Sequence, residues 1–226
     1  MSMPFYVPPE QMVKDRADFA RKGISRGRPI VVVQLDDGIL LIGENRSPSL
    51  RKIGEVYDRI AFAGVGRFNE FETLRVAGIR YADLKGFSYS REDVTGKGLA
   101  NAYSQTLGQV FSHEIKPYEV DIIVAELGET RADDSIFRIQ FDGTLRDAEG
   151  FAVLGAYVDE ISAALEGALG EGTTLEQAIA LSCAAIEEAG GEPIEAHDWE
   201  IALLDRTAGR RTFRRLTTDE ITSARS

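Results

Sequence analysis

Two runs of branched apolar residues meet at an acidic turn: Ile30-Val31-Val32-Val33-Gln34-Leu35, then Asp36-Asp37-Gly38, then Ile39-Leu40-Leu41-Ile42. Such runs around an Asp-Gly pair read as a β-hairpin. A strand with one wet face alternates apolar and polar residues. These runs are almost continuously apolar, so the hairpin belongs to a sheet covered on both faces. Whatever this chain folds into must supply cover for both sides of that sheet.

The rest of the chain provides it. Ahead of the hairpin, Met12, Val13, Arg16, Phe19 and Ala20 recur at helical spacing over Glu10 to Lys22, with Gly23 as the stop signal. The preceding Met1 to Pro9 holds Pro4, Pro8 and Pro9, which predicts a segment outside any helix. A third strand is expected over Tyr57 to Val65. Two helices follow, one with Phe68, Phe71, Leu74, Gly78 and Tyr81 on a single face, the next with Leu99, Tyr103, Leu107, Val110 and Phe111. Strands resume over Val120 to Leu127, Ile136 to Phe141 and Phe151 to Ala156, with a turn at Asp142-Gly143. A second helical pair spans Val158 to Leu169 and Leu175 to Ala189, the latter opened by a capping box in Thr173-Thr174-Leu175-Glu176. Strands over Trp199 to Leu204 and Thr212 to Leu216 precede a last short helix with the same capping pattern at Thr217 to Glu220. Helical pairs alternate with groups of strands, unlike the single alternation of a doubly wound parallel sheet. The pattern predicts one α+β domain over residues 1–226: two antiparallel sheets packed together, with helices on both outer faces.

Composition narrows the function. A net charge of -11 argues against a nucleic-acid partner. The single cysteine, Cys183, excludes an internal disulfide and lies in the apolar helical stretch Leu181-Ser182-Cys183-Ala184-Ala185, where it reads as a small core residue. The only histidines, His113 and His197, fall in separate elements without metal-ligand spacing, and no cofactor is expected. No GxSxG elbow is present. Gly64-Val65-Gly66 follows a strand and precedes a helix, but Asn69 stands where a dinucleotide fingerprint needs its third glycine. No apolar run approaches the ~20 residues of a membrane span, and the first ten residues lack a signal-peptide pattern. A soluble, cytoplasmic protein is the expectation.

One chemistry needs closer attention. A chain can use an amino-terminal Thr, Ser or Cys as nucleophile and base together, once processing frees its α-amine. The first strand here follows Gly27-Arg28-Pro29, and Arg28 cannot attack a carbonyl. Gly172-Thr173-Thr174 looks like a processing site but falls too late, and Thr173 is explained by its capping role.

Several stretches, in order along the chain, resemble the proteasome alpha-subunit family, in particular its actinobacterial branch. They are Asp18-Phe19-Ala20-Arg21-Lys22-Gly23, Asp37-Gly38-Ile39-Leu40-Leu41-Ile42, Leu50-Arg51-Lys52-Ile53 with Tyr57-Asp58, Gly66-Arg67-Phe68-Asn69-Glu70-Phe71, and Lys116-Pro117-Tyr118-Glu119-Val120. The resemblance implies a four-layer αββα sandwich, the N-terminal-nucleophile hydrolase fold, with an alpha-specific first helix at residues 10–22. It implies a non-catalytic subunit of the 20S core that forms homo-heptameric outer rings on catalytic beta rings. It also implies a gate made of Met1, Ser2, Met3, Pro4, Phe5, Tyr6, Val7, Pro8 and Pro9. A hexameric AAA-type ATPase would dock by its tails in a pocket holding Lys52 and Gly66. The archaeal and eukaryotic Tyr-Asp-Arg motif is missing ahead of Glu10. The alternative is a catalytic beta-type threonine protease or related hydrolase, which would require a processed chain starting at Thr, Ser or Cys.

Overall fold

The structure, a computed structural model, describes residues 8–47, 49–209 and 211–225. Its elements run α1 (Pro9–Ile24), β1 (Ile30–Leu35), β2 (Gly38–Glu44), β3 (Ile53–Tyr57), β4 (Ile60–Gly66), α2 (Phe68–Ser88) and α3 (Gly96–His113). Then come β5 (Val120–Glu126), β6 (Ser135–Ile139), β7 (Leu145–Ala148), β8 (Phe151–Leu154), α4 (Val158–Leu165), α5 (Leu175–Gly190), β9 (Trp199–Asp205), β10 (Phe213–Arg215) and α6 (Thr218–Ala224). The strands form two antiparallel five-stranded sheets, ordered β10-β9-β2-β1-β8 and β3-β4-β5-β6-β7.

The apolar runs that opened the sequence account for the layering. Along β1 and β2, Val31, Val33, Leu40 and Ile42 pack outward against Ile161, Ile179, Cys183 and Ile186 of α4 and α5. Their neighbours Ile30, Val32, Ile39 and Leu41 point the other way and meet Ala61, Ala63, Ile123 and Ala125 of the second sheet. The far face of that sheet, with Phe62, Ile122 and Val124, is covered by Leu74, Leu99, Tyr103 and Leu107 of α2 and α3. Helices, sheet, sheet and helices therefore stack in four layers, as expected. Burial pushes the Cys183 thiol up to about 12, consistent with an inert core residue.

α1 sits across one end of the sandwich. Ala20 and Ile24 are buried against Phe141. Arg16 donates to the carbonyls of Val110 at 3.3 Å and Glu114 at 2.6 Å, and the Arg21 guanidinium lies over the Phe141 ring.

Several local expectations are corrected. Pro9 joins α1 as its first helical residue, where its fixed φ suits the helix and its missing N–H costs nothing. Gly23 lies inside α1 rather than ending it; a side chain there would collide with the Glu119 carboxylate. The strand expected over Tyr57 to Val65 is β4 from Ile60 onward; Tyr57 instead ends β3, which was not anticipated, and Asp58 takes a left-handed turn at φ 32° between the two. β7 went unread because its Leu145-Arg146-Asp147-Ala148 is an edge strand with charged, exposed positions. Tyr81 is exposed, and Val110 and Phe111 are only half-buried. The helix expected to reach Leu169 ends at Leu165, ahead of Gly167 at φ 77°. The capping box sits one residue later than expected: Thr174 and Gln177 exchange the bonds, while Thr173 accepts from the Gly170 amide at 2.9 Å.

Leu41 is fully buried between the sheets. Leu41→Ala should cost about 2–5 kcal/mol, because neither sheet can collapse into the space. Chemical denaturation should show a lower midpoint with the far-ultraviolet dichroism of the folded state retained.

Candidate functional site at the head of the first strand

The connector from α1 to β1, Ser25 to Pro29, is threaded between three elements. The Gly27 amide closes on Ile24 O at 2.8 Å, and Gly27 O accepts from the Ala156 amide at 2.9 Å. A side chain on Gly27 would run into Val65 and crowd the Gly66 amide. Gly155, at φ 96°, lets the chain beyond β8 approach within contact of Gly27 and Arg28. At the strand head, the Arg28 guanidinium is tied to the buried carboxylate of Glu44.

Lys52 lies against this connector. Its Nζ donates to Glu44 O at 3.0 Å and to Arg28 O at 3.4 Å. Burial, then the nearby Arg28 charge, lower its pKa from 10.5 to about 8, against the opposing pull of Glu200 and Glu44. An ammonium has three donors, so one remains uncommitted beside these two carbonyls. Gly66 lies on the neighbouring strand; the Gly64 amide, two residues before it, donates to Lys52 O at 3.0 Å. The fold thus places Lys52 and Gly66 on the same connector, at Arg28 and Gly27 respectively. Gly66 also has a purely structural reason to be glycine: its φ is 114°, and a side chain would strike Glu119 O. Of the expected gate, Met1, Ser2, Met3, Pro4, Phe5, Tyr6 and Val7 lie outside the described residues; Pro8 and Pro9 form the start of α1.

The residues that hold this site in place were not anticipated. Glu200, almost fully buried, accepts from Asn45 Nδ2 at 2.6 Å, the Lys52 amide at 3.0 Å, the Ile53 amide at 3.3 Å and Arg215 Nη1 at 2.7 Å. It ties the start of β3 to β9 and so sets the Lys52 backbone. Glu44 accepts from both Arg28 and Arg46, the latter at 2.9 Å. The readable signal was an acid set against apolar strand residues, in Ile42-Gly43-Glu44 and Trp199-Glu200-Ile201.

No cluster of His, Cys, Asp and Glu suited to a metal ion occurs among the described residues. Among them, no helix is long and apolar enough to cross a membrane.

This architecture is the αββα sandwich of the N-terminal-nucleophile hydrolase fold, with an extra helix ahead of the first strand. A family profile described as "Proteasome subunit" matches residues 24–203. The "Proteasome subunit alpha" of Thermomonospora curvata is 53% identical over 217 residues, covering 96% of this chain and 94% of its own length. That of Kineococcus radiotolerans is 54% identical over 224 residues, with 96% and 94% coverage. That of a Nocardioides species is 54% identical over 220 residues, with 96% and 86% coverage. The chain belongs to the proteasome subunit family, on its actinobacterial alpha branch.

Two predictions follow from the geometry. Between pH about 8 and 10.5 the unfolded chain holds a proton on Lys52 that the folded chain has lost. Stability should therefore gain a contribution as pH rises through this window. Lys52→Met should remove that part of the slope, read by thermal unfolding across pH. Glu200→Ala should cost about 3–5 kcal/mol by leaving amides and Arg215 without their acceptor; calorimetry would measure it.

Proposed function

We propose that this chain is a non-catalytic, gating subunit of a threonine-type protease barrel in the cytoplasm. Alpha chains would close into a homo-heptameric outer ring, stacked on rings of beta subunits that carry the proteolytic activity. The observation that carries this reading is the head of β1. A self-activated protease needs a free amine and a hydroxyl or thiol on one residue. Here the residue is Arg28, whose side chain is a guanidinium bonded to Glu44.

Residues 1–9 are assigned to the gate, and the pocket around Lys52 and Gly66 to the C-terminal tails of an AAA-type ATPase ring. The uncommitted Lys52 donor supports this, since a half-enclosed ammonium suits a chain-terminal carboxylate. Deleting residues 1–7 from the reconstituted barrel should raise hydrolysis of short peptides several-fold; an unchanged rate contradicts the gate. Lys52→Ala should weaken ATPase activation while rings still assemble by native mass spectrometry. Activation at the wild-type ATPase concentration would remove Lys52 from the docking site.

A further inference from the structure

One face of α1 and the loop after α3 enclose a groove of about 480 Å³. Three apolar side chains around it stand in water: Met12 is 51% exposed, Phe19 46% and Ile115 99%. Scattered singly, such residues are ordinary surface; gathered around one groove, they form a patch that calls for cover. The charged groups of the rim already have partners. Lys116 is held by Glu70 at 2.6 Å and Glu119 at 3.0 Å. Arg16 donates to the carbonyls of Val110 and Glu114, and Asp15 accepts from Gln11 Nε2 at 2.6 Å. The groove therefore suits an apolar segment without charged side chains.

The start of α1 shows where such a segment comes from. Its N-cap is Pro8, which has no side-chain acceptor to close the first turn. The other device that fixes a helix entry is a hydrophobic staple, an apolar residue just before the cap resting on the fourth helical residue. Here those two positions are Val7 and Met12, and Met12 is the near wall of the groove. Ahead of Val7 the sequence reads Met1-Ser2-Met3-Pro4-Phe5-Tyr6, with no charged side chain. From Met12 to Phe19 the helix rises about 10 Å, and four extended residues reach about 13 Å. Residues 3–6 thus have the length and the apolar character that the groove requires.

We propose that this groove is the open-state seat of the chain's own amino-terminal segment, with Val7 on Met12 and with Phe5 and Met3 running back along α1 to cover Phe19 and Ile115. The proposal rests on the gating reading above. It supplies what that reading lacks: a place that holds the segment clear of the pore in a chain without the Tyr-Asp-Arg motif. The far wall of the seat is firm, because the Lys116 ammonium lies 5.8 Å from the centre of the Phe19 ring while it pairs with Glu70 and Glu119.

The test uses the reconstituted barrel of the full chain, with Phe5→Cys and Ile115→Cys in the same subunit. Cys183 is buried and stays out of the reaction. Oxidised glutathione should join the new pair within one chain, so that non-reducing electrophoresis keeps the subunit at monomer size and peptide mapping links positions 5 and 115. Hydrolysis of short peptides should then rise several-fold, to the rate of the barrel lacking residues 1–7, and fall back on reduction. Ile115→Asp, at an exposed position, should lower ATPase-stimulated hydrolysis several-fold in the full-length barrel and leave the shortened barrel unchanged. A bond between two chains would give the groove to a neighbouring copy and overturn the seat. No bond, or a bond without faster hydrolysis, would also overturn it, with the gate intact as long as removing residues 1–7 raises the rate. If that removal leaves the rate unchanged, the gating reading fails and the seat with it.

Discussion

The structure depends on how the chain passes from α1 into β1. Five residues must turn off a helix, clear β4, and enter a strand that is buried on both faces. Gly27 and Gly155 remove the side chains that would block this path, and backbone bonds to Ile24 and Ala156 set it. Everything distinctive about the site follows. Arg28 falls at the strand head, Glu44 at the end of the paired strand neutralises it, and Lys52 bridges the two carbonyls. The residue held there, Arg28, has no hydroxyl or thiol to act as a nucleophile. Structure and chemistry are therefore one constraint seen twice.

A second layer of charge holds the arrangement. Glu44 and Glu200 are carboxylates buried at the ends of apolar strands, a placement that is costly unless the charge is paired. Each is met by arginine, and Glu200 also by two backbone amides of β3. Removing a partner exposes that cost. Arg28 and Arg46, the partners of Glu44, themselves remain partly open to solvent.

Much of this was legible in the chain itself. The both-faces burial of β1 and β2 followed from Ile30 to Ile42, because unbroken apolar runs leave no wet side. The family-resembling stretches Gly66 to Phe71 and Lys116 to Val120 were separate in sequence, yet Glu70 joins them by accepting from Lys116 at 2.6 Å and from the Glu119 amide at 2.7 Å. Gly23 of a third stretch makes room for the same Glu119. What could not be read were features set by neighbours distant in sequence. The turn at Asp58 carries no glycine to announce it, and β7 is an edge strand whose charges hide its period. The bonds of Glu200 come from residues between 15 and 155 positions away, so no local pattern could reveal them.

The central claim is that no residue of this chain becomes a self-activated nucleophile. Intact-mass analysis of the purified chain, after incubation with a threonine-reactive β-lactone, tests it most directly. The account predicts a mass that retains α1 and its connector, with no adduct. A chain shortened to a new amino-terminal Thr, Ser or Cys and carrying one stoichiometric adduct would contradict it.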